Sequence, residues 1–260
     1  MSENFDPNQN HYFFNNKGTT PLVFIHGVGL DHQMWDKQVN YLNEFSILTY
    51  DLLGHGKTPF NKENLNFNDF SNQLLEILDY LRIEKVHLVG FSLGSLVALD
   101  FSTRHQDKIE KLVLIGTTYK RSDQERALVL DRYNQAKLNK PISKQALKRW
   151  FSDKYLEDNP KTYDLFMSIL NKKPEDHKNF LKAYELFANH KDNIASIQKI
   201  NRKTLVMTGS DDLGSSPSMS KELVKDLINS SYIEIKNGKH LCSIECADDV
   251  NINIKNFINN

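Results

Sequence analysis

Residues 90–94 read Gly90-Phe91-Ser92-Leu93-Gly94. They follow the apolar run Val86-His87-Leu88-Val89 directly. They open a stretch in which Leu93, Leu96, Val97 and Phe101 recur at helical spacing. A strand that turns sharply into a helix with one serine at the bend leaves no room for side chains two residues before and after it, so glycine fills both places. The serine is then held in a strained conformation with its hydroxyl thrust outward. This one pentapeptide predicts a strand–turn–helix unit and marks Ser92 as a candidate nucleophile. The plain alternative is a glycine-rich turn with a bystander serine, and the strand–helix setting argues against it.

The rest of the chain repeats the alternation. Short β-branched runs occur at Leu22–Ile25, Ile47–Tyr50, Val86–Val89, Leu112–Ile115, Leu205–Thr208 and Tyr232–Ile235, each bounded by charge, Gly or Pro. Between the second and third, Phe67, Phe70, Leu74, Leu78 and Leu81 follow helical spacing, with Asn66 placed to cap them. Strands alternating with helices predict an α/β fold: a mostly parallel central sheet flanked by helices on both faces. From Gly116 to Lys203 the rhythm breaks, and only helical signatures appear, at 128–133, 147–151, 163–170 and 180–187. The expected organisation is a core of residues 1–117 and 197–260, with residues 118–196 inserted as a helical lid.

Composition excludes several classes. The 260 residues carry 33 basic and 33 acidic side chains, with 39% hydrophobic residues. A zero net charge argues against a nucleic-acid partner. No run approaches 18 apolar residues, so no membrane span is expected. The N-terminal residues lack a basic segment followed by an apolar one, and Cys242 and Cys246 make no disulfide framework. A cytoplasmic location is the expectation. The charge is unevenly spread, however: residues 120–195 hold 16 Lys or Arg against 11 Asp or Glu. A solvated helical face explains this blandly; a lid that attracts an anionic substrate explains it more sharply.

A serine needs a base to take its proton. Of the nine histidines, His26, His55 and His87 lie in or beside early strands and turns, where structural roles are expected. His11, His32, His105, His177 and His190 are scattered among polar residues. His240 follows the last strand run in Lys236-Asn237-Gly238-Lys239-His240, on a loop that can reach the serine turn. The acid that orients the imidazole is expected after the run 205–208, in Gly209-Ser210-Asp211-Asp212. Asp212 is the choice, with Asp211 as the competing turn residue; the preceding run ends Gly116-Thr117-Thr118 and offers no carboxylate. After the first run comes His26-Gly27-Val28-Gly29, where backbone N–H groups can approach a substrate oxygen; with Leu93, Val28 is a candidate oxyanion donor. Trp35 reads as a packing residue near the pocket floor. Phe180, Tyr184 and Phe187 read as lid core. His240, Cys242 and Cys246 form an incomplete zinc set, so no metal is expected. No dinucleotide or P-loop fingerprint is present.

In order along the chain, His26-Gly27, Asp51-Leu52-Leu53-Gly54-His55-Gly56, Gly90-Phe91-Ser92-Leu93-Gly94, Gly209-Ser210-Asp211-Asp212 and Lys239-His240 resemble the α/β-hydrolase family over almost the whole length. Asp211–Pro217, Lys239–Glu245 and Arg149-Trp150-Phe151-Ser152 resemble the 3-oxoadipate enol-lactonase group within it. Leu53 departs from the arginine frequent at its position. The resemblance implies Ser92 as nucleophile, Asp212 and His240 as its partners, no cofactor, and water as co-substrate with a small molecule. The implied chemistry is hydrolysis of a small carboxylic ester or lactone. The competing expectations are carbon–carbon bond hydrolysis of a vinylogous diketone and a small-ligand receptor on the same scaffold.

Overall fold

The computed structural model describes residues 4–138, 143–172 and 174–260. Strands β1 (Asn4–Phe5), β2 (His11–Asn15), β3 (Leu22–Ile25), β4 (Ile47–Tyr50), β5 (Val86–Phe91), β6 (Ile109–Ile115), β7 (Lys203–Gly209) and β8 (Ser230–Ile235) form a sheet in the order β1-β2-β4-β3-β5-β6-β7-β8. β1 and β2 join antiparallel, and the strands from β4 through β8 run parallel. Residues 22–25 and 47–50 are buried throughout, which is why these strands read as unbroken apolar runs and not as alternating ones.

Side-chain alternation splits the runs between two cores. Val23, Ile25, Leu48, Leu88, Leu112, Leu114 and Val206 point to one face. Leu22, Phe24, Ile47, Val89, Phe91, Val113, Ile115, Leu205 and Met207 point to the other. Helices α1 (Asp36–Tyr41), α2 (Phe67–Tyr80) and α3 (Leu93–Arg104) follow β3, β4 and β5. The expected cap of α2 is present: the Asn66 side chain accepts from the Asp69 amide while the Asp69 carboxylate accepts from the Asn66 amide, a reciprocal arrangement worth about 1 kcal/mol. α2 and α3 bury Phe70, Leu74, Val97 and Phe101 in the first core.

Between β6 and β7 the described chain forms α4 (Asp123–Lys137), α5 (Ser143–Trp150), α6 (Asp153–Asp158), α7 (Pro160–Leu170), α8 (Pro174–Asn189) and α9 (Ile194–Ile197). These helices divide between the two cores. α4 and α8 contribute Val129, Tyr133, Phe180, Tyr184 and Phe187 to the first, and α5 and α7 contribute Leu147 and Phe166 to the second, joined by Phe151 just beyond α5. The chain closes with α10 (Pro217–Asp226), α11 (Cys242–Glu245) and α12 (Ala247–Asn259). Among the described residues no helix is long and apolar enough to cross a membrane.

The chain leaves β3 for β4 on one side and returns to β5 on the other. The loops after β3 and β5 therefore diverge around a crevice at the strands' carboxyl ends, the place where parallel α/β sheets bind ligands.

Candidate active site

Ser92 sits between β5 and α3 with φ 53° and ψ −114°, a left-handed conformation that costs a non-glycine residue about 1–3 kcal/mol. Its surroundings hold it there. The Ser92 amide donates to the Ile115 carbonyl at 2.9 Å, and the Ser95 hydroxyl lies 2.9 Å from the Gly90 oxygen and 3.0 Å from that of Ile115. A Cβ on Gly90 would stand 2.4 Å from the Gly94 oxygen, so the glycine requirement is steric and specific.

Asp212 is 2% exposed on the turn after β7. Its Oδ1 accepts the amides of Gly214 and Ser215 at 2.8 and 2.9 Å. Its Oδ2 faces His240 Nδ1 at 2.7 Å, and His240 Nε2 lies 3.2 Å from Ser92 Oγ. Asp211 behaves differently: it is exposed, its amide donates to the Gly238 carbonyl at 2.9 Å, and its carboxylate accepts from the Ser210 hydroxyl. The loops after β7 and β8 touch through Gly209, where a Cβ would lie 2.2 Å from the Gly238 oxygen. The His240 ring packs on Phe91, centroids 4.9 Å apart, and Phe91 packs in turn on the buried Trp35. Ser92, Asp212 and His240 thus come together as one hydrogen-bonded chain.

His26 does not join them. Its Nε2 accepts the Leu52 amide at 2.9 Å, and its Nδ1 donates to the Gly27 carbonyl at 2.8 Å. Burial pushes its pKa down to about 4, so it is a neutral brace for the turn that presents Val28. Val28, Ser92 and His240 line a cavity of about 310 Å³, walled by α4, α5 and α8 through residues including Val129, Phe180, Tyr184 and Phe187. The three aromatic or apolar residues of α8 therefore serve both as core and as cavity wall. A shallower depression of about 790 Å³, lined by Lys37, Glu245 and Asp248, holds none of the three chain members.

The scattered polar setting of His11 and His32 in the sequence conceals a second cluster. Asp51 Oδ2 accepts from His11 Nδ1 at 2.7 Å and Oδ1 from His32 Nδ1 at 2.8 Å, while the amides of Lys57 and His32 each donate to one oxygen. Burial works against the Asp51 charge, but the hydrogen bonds from His11 and His32 hold its pKa well below the usual carboxylate range. Ligands around zinc, each about 2.0 Å from the ion, lie roughly 3.3 Å from one another; these contacts are hydrogen bonds, and both carboxylate oxygens are already filled by main-chain donors.

The alpha/beta hydrolase fold family matches residues 20–246. This chain belongs to that family. It is 27% identical over 247 residues to the (E)-2-((N-methylformamido)methylene)succinate hydrolase of Acinetobacter baylyi, covering 93% of this chain and 90% of that protein. It is 28% identical over 227 residues to 3-oxoadipate enol-lactonase 1 of the same organism, covering 86% and 83%. The crystal structure of the enol-lactonase from Burkholderia xenovorans superposes with a TM-score of 0.87 at 24% identity, covering 96% of this chain and 97% of that one. The molecule is thus an α/β hydrolase, an enzyme, and resembles the enol-lactonases among its relatives.

Two elements of the site escape sequence reasoning. Ser95 locks the serine turn from inside α3, and a serine in a helix carries no distinguishing signal. Arg132 and Arg149 enter the cavity wall, whereas the sequence shows only a diffuse cationic excess over the whole insertion.

Proposed function

We propose that this α/β hydrolase cleaves a small carboxylic ester or lactone through an acyl-enzyme, using Ser92 as nucleophile, His240 as base and Asp212 as the group that orients it. The continuous chain Asp212–His240–Ser92, at 2.7 and 3.2 Å, carries this reading. With the carboxylate accepting at Nδ1, the imidazole proton stays there and Nε2 is left to take the Ser92 proton. Asp212 is held by two amides and cannot swing away, so the tautomer persists through the cycle.

Ser92 then attacks the carbonyl carbon. The developing oxyanion meets the amides of Leu93 and Val28. As the first residue of α3, Leu93 has an amide with no acceptor inside its helix, and the helix N-terminus favours negative charge there. Removing one such donor typically costs about 10²–10³ in kcat. His240 returns its proton to the leaving oxygen, then deprotonates water, which attacks the acyl-enzyme and releases the acid. No cofactor enters. A small substrate is supported by the cavity volume and by relatives named for enol-lactone and substituted-succinate hydrolysis. Two cysteines, both free thiols, suit the reducing cytoplasm.

The test is turnover of short aryl esters, lactones and a vinylogous diketone, with mass-spectrometric mapping of a fluorophosphonate adduct. Multiple turnovers of an ester or lactone with the adduct on Ser92 are expected. Turnover of the diketone alone would move the reaction to carbon–carbon cleavage, and labelling without cycling would mark a receptor.

A further inference from the structure

The loop that carries His240 is held from two directions. Its first half rests on the turn after β7: the Asp211 amide donates to the Gly238 carbonyl at 2.9 Å, and the Asn237 amide donates to the Ser210 hydroxyl at 2.9 Å. The residues on either side of His240 bond to the inserted helices. The Leu241 amide donates to the Trp150 carbonyl at 3.0 Å. The Lys239 amide donates to Glu245 Oε2 at 3.3 Å, while Glu245 Oε1 accepts the Ser152 amide at 3.1 Å. The Lys239 ammonium adds a bond to the Lys148 carbonyl at 2.9 Å.

The partners on the insertion are the groups that a break between helices leaves over. Trp150 ends α5, and Ser152 caps α6. The last carbonyl of a helix has no donor within that helix, and the amide of a capping residue has no acceptor in the helix it starts. Leu241 answers the first and Glu245 the second. A carboxylate can offer one oxygen to each of two amides, and bonds to a charged acceptor are the stronger kind. One side chain therefore ties the insertion to the residue before His240. Glu245 borders the shallow depression and not the cavity, so it can influence turnover only through the loop. That influence matters because His240 Nε2, 3.2 Å from Ser92 Oγ, stands at the outer edge of reach for proton transfer. Asp212 steers the ring at Nδ1, but the main chain beneath the ring is placed by Lys239 and Leu241.

We propose that Glu245 is a positioning residue for the base, and that the α5–α6 junction, through Glu245 and the Trp150 carbonyl, holds His240 at proton-transfer distance from Ser92. The insertion then does more than wall the cavity: it completes the support of His240. This rests on the serine-hydrolase reading above, which makes His240 the base.

The experiment compares Glu245→Gln with Lys37→Met. Glutamine keeps the shape but turns an NH₂ donor toward one of the two amides, so one tie is lost. Lys37 supports the same neighbourhood, donating to the Ile244 carbonyl at 3.0 Å and the Tyr155 hydroxyl at 2.9 Å, and these bonds miss the residues beside His240. Turnover of an aryl ester and the rate of fluorophosphonate labelling at Ser92 are measured on folded protein. Glu245→Gln should lower kcat and the labelling rate together by roughly 10- to 100-fold, the range for a displacement of about 1 Å at a reacting group, with KM unchanged. Lys37→Met should lower the melting temperature and leave both rates at wild-type values. Glu245→Asp, one methylene shorter, should show the same split at smaller size, and it decides the matter if the glutamine variant does not fold. Wild-type rates in folded Glu245→Gln would overturn the proposal. Equal losses in Lys37→Met would also overturn it, by reducing the effect to general loosening. Hydrogen exchange reads the tie without turnover: peptides 148–153 and 238–242 should exchange faster together in Glu245→Gln, and unchanged exchange in both would overturn the proposal. If wild-type Ser92 takes no label and no ester turns over, the hydrolase reading falls. Exchange then decides alone: acceleration in both peptides upholds Glu245 as the tie that positions His240, and its absence removes it.

Discussion

A Cβ placed on Gly94 would stand 2.2 Å from the Ile25 carbonyl oxygen. The first turn of α3 is pressed against the end of β3, and this contact brings Ser92 and the Val28 loop to the same mouth. Backbone on both sides leaves nothing that can rotate out of the way. Gly94→Ala should therefore destabilise the protein by about 3 kcal/mol, the upper end for overpacking, and lower kcat through displacement of Ser92. Urea denaturation checks it; a change under about 0.5 kcal/mol would show that the contact relaxes freely.

Ser92→Ala should lower kcat by about 10⁴ or more. Ser92→Gly should be equally inactive yet more stable than Ser92→Ala by about 1 kcal/mol, because glycine adopts φ 53° without the strain that any Cβ brings. Melting temperatures of the two variants make the comparison, and equal values would mean the turn stores no strain.

Substitution should separate the adjacent aspartates functionally. Asp212→Asn should cost roughly 10⁴ in kcat by favouring the wrong histidine tautomer. Asp211→Asn should keep most of the activity, since Asp211 is exposed and bonded to Ser210. Kinetics of the two variants side by side settle the assignment, and the reverse order would transfer the acid's role to Asp211.

His32 predicts a pH dependence of stability. Burial acts to lower its pKa, but the Asp51 hydrogen bond and charge prevail and raise it. A raised folded-state value means that the protonated form stabilises the fold. That contribution is present in full below the unfolded value of about 6.5 and fades as pH rises through the folded one. His32→Gln should lower the melting temperature most in mildly acidic buffer, with the gap narrowing toward alkaline pH. A gap that widens with pH would reverse the sign and refute the assignment. Asp51, held low, keeps its own contribution until pH drops below the ordinary carboxylate range.

Sequence and structure agree most closely where a physical constraint is local. Parallel strands buried on both faces become continuous apolar runs, so Leu22–Ile25 and Leu112–Ile115 are legible. Gly90 and Gly94 are legible because the turn between β5 and α3 cannot hold side chains there. β1 and β2 are not: Tyr12, Phe13 and Phe14 stand among asparagines at the antiparallel margin, where no long apolar run is needed. The convergence of His11 and His32 on Asp51 joins residues 40 and 19 positions apart, and nothing local announces such pairings. The fate of each cation is likewise set by tertiary packing: Arg121 is consumed by the Phe187 carbonyl and the Thr118 hydroxyl while Arg132 lines the cavity.

The helices between β6 and β7 divide between the two cores, with Phe180, Tyr184 and Phe187 in one and Phe151 and Phe166 in the other. Five aromatic side chains represent about 1,000 Å² of buried surface. Exposing even half of that would cost about 12 kcal/mol at 25 cal/mol/Å², comparable to the whole stability of an ordinary domain. The ring contacts of this set, Phe180 on Tyr184 and Phe151 on Phe166, lie within the insertion itself, so that energy holds its helices to one another. The cavity's rim carries Leu213, 94% exposed, and Leu128, 55% exposed. Those two leucines, one from the loop after β7 and one from α4, present an apolar edge to any small molecule that enters the cavity.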